Sequence, residues 1–419
     1  MRVIGETVST MKILCFGPQD VIPPTDGGKQ GIFEAISALS RIGEITYVFP
    51  RAEKDTRADL YSNIGVRSVS IPRRPEENLC TIVLATLRYE PYKFFKYATK
   101  EILELYSTYI PVDSYDAILC FHPHSWAAGS YIRNKRKLNI PIIVRAHNVE
   151  YEIVSMYRKS LRPIPRILSY IFEVLTRKKE LEIWRLADSV VFCSTTDLKT
   201  AVSTRASGRF ILGPEGVSLP PLVETSFPGL DAPLLFLLNP TAPQGIYNLR
   251  WFISKFWLPA INRKQLGTTK LHVSGLTSKE LSIFLGSEVA DLERLHIVGI
   301  GFRKNLEQDL RTAIALVSPT QIGSGIRKKI LEAMAHQCPV LATSLDIDSN
   351  SMFSEGENIL SIDKKEDSFV TSLNSLKNSA DLWRKFSESG RSTVQTHASW
   401  DQFTETIKQE ILTLKHKGK

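Results

Sequence analysis

The chain has 419 residues, 43% hydrophobic and 23% charged, and a net charge of +9. This length exceeds one ordinary core and predicts two domains of roughly 200 residues, while the composition excludes a disordered or fibrous chain. No apolar run reaches the roughly 18–20 residues that span a bilayer, and the polar N-terminus lacks the apolar core of a signal peptide.

In chain order, residues 12–17, 45–50, 117–121, 141–146 and 189–193 read as short, almost wholly apolar strands. Amphipathic helical stretches lie between them, clearest at 31–42 and 126–137. Such alternation predicts a parallel sheet covered on both faces. Residues 213–233 are rich in Pro and Gly and read as the passage between domains. The alternation restarts with strands at 234–238, 270–274, 296–299, 313–317 and 339–343 and helices at 248–261 and 327–336. A largely helical end follows from 368 to 414. The expectation is an α/β chain of two doubly wound, Rossmann-like domains facing a central cleft, where ligands bind at the carboxyl ends of the strands. The predicted bounds are 11–212, a linker at 213–231, 232–395, and a terminal helix at 396–419 that packs back toward the N-terminal domain.

The five cysteines (Cys15, Cys80, Cys120, Cys193, Cys338) are scattered, with no CxxC spacing. Cys15, Cys120 and Cys193 lie in apolar strand runs, so buried reduced thiols and a cytoplasmic location are expected. The positive charge attracts polyanions. Its clearest concentration surrounds the apolar stretch 167–175, with Arg158, Lys159, Arg162 and Arg166 before it and Arg177, Lys178 and Lys179 after it. Cations flanking an apolar helix over 158–185 suit an anionic membrane surface, and equally suit a buried helix with solvated ends. Nucleic acid is not expected, because no recognised module is present and aromatics are not interleaved with the cations.

The densest chemical signal is residues 319–340. A strand runs into a loop bearing Gly323 and Gly325, which opens a helix carrying Arg327 and Lys329, with Glu332 one turn further. Helix-terminal amides, permissive glycines and two cations suit a pyrophosphate, and the carboxylate suits a ribose diol. His147 follows an apolar strand, and a histidine there can hydrogen-bond a sugar or phosphate as a glycosidic bond breaks. His122 and His124 close another strand and read as pocket lining. Zinc would require three or four convergent ligands, and no Cys or carboxylate close in sequence completes a set, so no metal and no cofactor are expected. Asp346 and Asp348 mimic a metal-binding Asp-x-Asp but lie in the wrong architecture, and read as coincidence.

The 319–340 segment resembles the C-terminal signature of family-4-type glycosyltransferases (the glycosyltransferase group 1 family), with Gly325, Arg327, Lys329, Glu332 and Ala333 matching. Pro24 with Gly27-Gly28 is similar to that family's glycine loop, and Arg145–Glu150 to its "HNVE" segment. Asp188 with Ser194 and Asp197, and Trp251-Phe252 with Pro259, follow in the same order. The resemblance spans roughly 11–410. It implies the GT-B fold and a metal-independent, retaining transfer of sugar from a nucleotide-diphosphate sugar to a glycan or lipid-linked acceptor. It implies catalytic roles for His147 and Gly28 and donor contacts for Gly27, Gly28, Gly323, Gly325, Arg327, Lys329 and Glu332. His122, His124 and Asn148 are then expected to line the pocket. The chain departs from the family at Ser324, where many members carry a glutamate that touches the donor sugar, and at Gln244 and Glu215, where asparagine is usual. A catalytically silent binding protein and a sugar-nucleotide epimerase of the same fold are the alternative readings.

Overall fold

The computed structural model describes residues 11–25, 27–51, 58–73, 78–160, 163–223, 226–240, 243–286, 291–323 and 325–417. The chain divides into two compact units, Met1–Gly216 with Trp400–Lys419, and Val217–Ser399.

The first unit is built on a seven-stranded sheet. Its strands are β1 (Met11–Phe16), β2 (Gly43–Pro50), β3 (Val66–Ile71), β4 (Ala117–Phe121), β5 (Ile142–Ala146), β6 (Ser189–Phe192) and β7 (Phe210–Leu212). All pairs are parallel, in the order β3-β2-β1-β4-β5-β6-β7. The central strands are near-continuous apolar runs because both faces are covered: β4 and β5 are buried throughout. Sequence patterning missed β3 and β7. β3 reads Val-Arg-Ser-Val-Ser-Ile, the polar composition that an edge strand tolerates, and β7 has only three residues.

The second unit carries a six-stranded sheet: β8 (Leu234–Leu237), β9 (Leu271–Ser274), β10 (Ile297–Gly301), β11 (Ala315–Ser318), β12 (Val340–Ala342) and β13 (Leu360–Ser361). Its order is β10-β9-β8-β11-β12-β13, again all parallel. The helical stretch expected over 248–261 begins earlier, at Pro243, and passes through a π turn at Ile253–Trp257 before a last turn at Leu258–Asn262. In each sheet the order reverses beside the first strand, between β1 and β4 and between β8 and β11. Ligands bind at such switch points, beyond the carboxyl ends of the strands. Among the described residues no helix is long and apolar enough to cross a membrane.

The terminal helix, Trp400–Lys417, belongs to the first unit. Its face of Phe403, Ile407 and Ile411 is buried against Ile32, Ile36 and Leu39 of the helix Gly27–Leu39 and against the sheet. Truncating a buried isoleucine removes its transfer energy and leaves a cavity, so Ile407→Ala should cost about 2–5 kcal/mol in chemical denaturation. A change below about 0.5 kcal/mol would show that this helix is not integral to the core of the first unit.

Candidate functional site

Four successive strand ends in the first unit deliver side chains to one place: His122 after β4, His147 after β5, Cys193 after β6 and Glu215 after β7. Arg145, fully buried within β5, donates from Nη2 to Glu215 Oε2 at 2.5 Å. His147 Nε2 stands 3.9 Å from the same oxygen. The guanidinium and the carboxylate offset each other's charge, as burial demands.

His147 stacks on His122 with ring centroids 4.4 Å apart, and His122 stacks on His124 at 5.2 Å. Tyr97 closes the column on His124 at 4.9 Å, and Phe94 meets His124 edge-on. Burial, reinforced by the Arg145 guanidinium and Lys93, holds His122 down to about 4. Burial, with His122, Lys93 and Lys96 beside it, keeps His124 well below the ordinary imidazole value. Both rings are therefore neutral at physiological pH, each with one donor and one acceptor nitrogen. The backbone of His122 is left-handed, with φ 68°, a strained conformation for a non-glycine residue that recurs at functional sites. Asn148 follows at the same strand end, half-buried. Glu150 opens the helix Glu150–Ser160 and pairs with Lys93 at 3.6 Å, while the buried Glu180 carboxylate accepts from the backbone amides of Glu150 and Tyr151.

Gly27 and Gly28, expected as donor contacts, form the exposed first turn of the helix Gly27–Leu39. The glycine on which the histidine site packs is Gly31, one turn further, where an added Cβ would stand 2.7 Å from Glu215 Oε1 and 3.7 Å from His147 Nε2. One expectation is revised: that no Cys or carboxylate comes near the histidines. Ligand atoms of His147, Cys193 and Glu215 lie within 4.8 Å of one another, because adjacent strand ends unite residues far apart in sequence. These donors do not fit a metal well: the Arg145 guanidinium already occupies the carboxylate as its cation, and burial pushes the Cys193 thiol up to about 12.

In the second unit, β11 runs into the loop of Gly323 and Gly325, and the helix Lys328–Ala335 follows. Arg327 is its N-cap residue and donates from Nε to Asp346 Oδ1 at 2.8 Å; Ser318 Oγ donates to Asp346 Oδ2 at 2.5 Å. Asp346 is fully buried, whereas Asp348 is exposed. Asp346 thus acts as the anchor of Arg327, a role the sequence reading missed when it set Asp346-x-Asp348 aside as coincidence. Gly323 is required by close approach, since a Cβ there would run into the Arg327 guanidinium; Gly325 takes φ 73°, which glycine adopts without strain. Lys329 lies with Nζ 5.3 Å from the Phe236 ring centroid, and burial lowers it to about 8. Glu332 is half-buried one turn on, and Ser324 lies outside the described residues. Asn248, also missed, holds the loop: its Oδ1 accepts from the amides of Gln321 and Ile322 at 3.0 and 3.4 Å.

Comparison with known proteins agrees with the fold. Residues 236–379 match the family model Glycosyl transferases group 1. The solved structure of sucrose-phosphate synthase from Thermosynechococcus elongatus superposes with a TM-score of 0.69 at 15% identity, covering 97% of this chain and 100% of that one. HepE from Anabaena, solved with UDP and glucose, gives 0.62 at 11% identity over 96% of this chain and 100% of its own. The lipopolysaccharide outer core galactosyltransferase WaaB gives 0.60 at 16% identity, covering 96% of this chain and 99% of its own. None of the curated proteins matches this sequence. Residues 236–379 of the second unit thus match a Glycosyl transferases group 1 model, in a chain that has the GT-B fold of these structures.

The packing of Gly31 yields a test. In an ordinary helix interior Gly→Ala stabilises by up to about 1 kcal/mol. Here the methyl must displace a carboxylate that Arg145 holds in place, so Gly31→Ala should instead lower the unfolding free energy by about 1–3 kcal/mol. A stabilised Gly31→Ala protein in urea denaturation would contradict the packing described.

Proposed function

We propose that the protein transfers a sugar from a nucleotide-diphosphate sugar, with UDP preferred as the nucleotide, to a glycan or lipid-linked acceptor. One observation carries this reading. At the switch point of the second sheet, a glycine loop presents Arg327, oriented by a buried aspartate, beside a partly desolvated Lys329. Arg327 and Lys329 bind the diphosphate and stabilise the charge that develops on it as it leaves. Glu332 takes the ribose. Within the first unit, His147 and Asn148 beside the neutral His122–His124 column offer hydrogen bonds to a sugar. The family resemblance adds retention to this reading; the guanidinium and ammonium, standing where a divalent ion would stand, account for transfer without metal or other cofactor. HepE, solved with UDP and glucose, and WaaB, a galactosyltransferase of the lipopolysaccharide outer core, support the choice of UDP and of a lipid-linked glycan.

The acceptor reading includes an anionic membrane surface met through residues 158–185, at the cytoplasmic face. Tyr170, Ile171 and Val174 are exposed there, as are Arg177 and Lys178. Other parts of that region are already engaged: Arg158 bonds Glu173 at 2.5 Å, Lys179 pairs with Glu182, and Leu175 is buried. The side chains of Lys159, Arg162, Arg166 and Ile167 lie outside those described.

Lys329→Ala should weaken UDP binding by about 1–3 kcal/mol in calorimetry, the size of a lost charge-assisted hydrogen bond. Arg327→Ala should do the same and, because it leaves the Asp346 carboxylate without its cation, should also lower the thermal midpoint. Unchanged UDP and GDP affinity in both variants would move the donor site elsewhere.

The pH dependence has a definite sign. Lys329 in the free protein loses its proton near pH 8, and a bound diphosphate favours the charged form. UDP affinity should therefore be flat with respect to Lys329 below about pH 8 and fall above it, by up to tenfold per pH unit, with proton uptake on binding. Lys329→Arg should flatten the alkaline fall. A wild-type affinity constant from pH 7 to 9.5 would remove Lys329 from the diphosphate site. Chelation with EDTA should leave sugar transfer intact, and a complete loss restored by divalent metal would overturn the metal-independent reading.

A further inference from the structure

We propose that the helix Leu79–Leu87, with Tyr89 at its end, is a docking element that inserts into an anionic bilayer interface. The helix reads LCTIVLATL, without a single charged residue. Cys80, Val83, Leu84 and Leu87 follow the i, i+3, i+4, i+7 spacing that defines one helix face. In a surface helix of a water-soluble domain that apolar stripe faces the core. Here it faces outward: Val83 is 48% exposed, Leu84 47% and Leu87 70%, while Ala85 is buried.

The helix is firmly built. The Asn78 side chain caps it, accepting from the Thr81 amide and hydroxyl at 2.8 Å each. The Glu90 amide closes the turn after it on the Ala85 carbonyl, and the buried Phe94 and Phe95 of the next helix, Tyr92–Phe95, anchor the hairpin. Tyr89 lies between them in the left-handed conformation, φ 55°, and 76% exposed. Holding an aromatic ring outward at the expense of backbone strain suits a membrane interface, where tyrosine sits with its ring among the headgroups.

Charge selects the partner. Over residues 73–101 the cations Arg73, Arg74, Arg88, Lys93, Lys96 and Lys100 outnumber the acids Glu76, Glu77, Glu90 and Glu101. Arg88 is exposed, with its guanidinium 5.4 Å from the Phe95 ring centroid. An outward apolar stripe that ends on an exposed arginine and tyrosine fits an anionic lipid surface. The same hairpin leads to the histidine site, since Phe94 and Tyr97 both pack on His124. A chain docked through Leu79–Leu87 therefore holds the His122–His124–His147 column close to the lipid surface, where a lipid-linked acceptor presents its glycan. This inference rests on the lipid-linked acceptor reading above and assigns it a surface other than 158–185.

The test is co-sedimentation of the full-length protein with vesicles of phosphatidylcholine and phosphatidylglycerol. The wild type should bind at low salt and lose part of its binding as salt rises, with a salt-resistant remainder from apolar burial. The double variant Leu84→Glu with Leu87→Glu should partition at least about tenfold more weakly, with an unchanged thermal midpoint because both side chains are solvent-exposed. Leu87→Trp offers a measurement independent of that variant's fold, since its fluorescence should be quenched by brominated lipid where that of the wild type is not. Wild-type-like sedimentation of the double variant, with release on Ile171→Glu and Val174→Glu instead, would overturn this proposal and leave the membrane reading of 158–185 standing. Absence of wild-type binding at low salt would overturn both membrane readings and leave nucleotide binding, measured separately, untouched. A wild-type dimer that the double variant makes monomeric would show the stripe to be an interface between copies, and would also overturn the proposal.

Discussion

The arrangement of the first unit depends on one buried ion pair, Arg145 with Glu215. Neither charge is accessible to water in any useful degree, so each requires the other; removing one partner of such a pair typically costs about 3–5 kcal/mol. The pair joins the end of β5 to the segment after β7. The remainder of the guanidinium is covered by aromatic faces: the ring of Phe403 at 4.4 Å, Trp400 at 5.7 Å and Phe121 at 5.9 Å. Three stretches far apart in the chain, around 145, 215 and 400, are thus gathered on one side chain. Gly31 is glycine because the Glu215 carboxylate fills the space of a side chain, and His147 is placed by the same carboxylate and by the stack on His122.

The second unit solves an equivalent problem with the opposite emphasis. Here a buried carboxylate, Asp346, holds a cation that remains partly open to solvent, Arg327. An arginine left to itself samples many rotamers and loses that freedom on binding an anion. One whose Nε is already bonded to a fixed acceptor presents its remaining donors in a set direction. The loop that approaches this arginine is restrained from another side by Asn248 and by Thr343, whose hydroxyl donates to the Thr320 carbonyl at 3.0 Å. Lys329, by contrast, is held by burial rather than by an ion pair, which is why its charge is the more sensitive to pH and to a ligand.

These two arrangements explain why the chemistry sits on strand ends rather than within helices. A parallel strand buried on both faces is stiff and apolar, so the residues just beyond it are where polar side chains most readily leave the sheet core and meet those of neighbouring strand ends; Arg145, within β5, is buried there only with its ion pair to Glu215. His122, His147 and Cys193 occupy positions just beyond their strands, and the loop of Gly323 does so after β11. The strained backbone of His122 marks the place where the chain turns sharply to deliver a ring to the stack instead of continuing outward.

The sequence by itself determined the two-sheet α/β architecture and the strand–glycine loop–helix that carries Arg327, Lys329 and Glu332. These are local patterns: burial on both faces writes itself as apolar runs, and a helix start writes itself as glycine followed by amphipathic spacing. His147, His122 and His124 were legible for the same reason, each standing immediately after an apolar strand. Only the tertiary structure decided the partners. Arg145 meets Glu215 seventy positions away, Arg327 meets Asp346 nineteen positions away, and Cys193 comes beside His147, because crossovers set which strand ends are neighbours and no periodicity encodes that order. It also decided direction. The 80/83/84/87 stripe and the 167–175 run have the same apolar character in the sequence, yet the first faces outward while the second turns Leu175 inward and Ile171 outward, because what a helix buries depends on the surface packed against it.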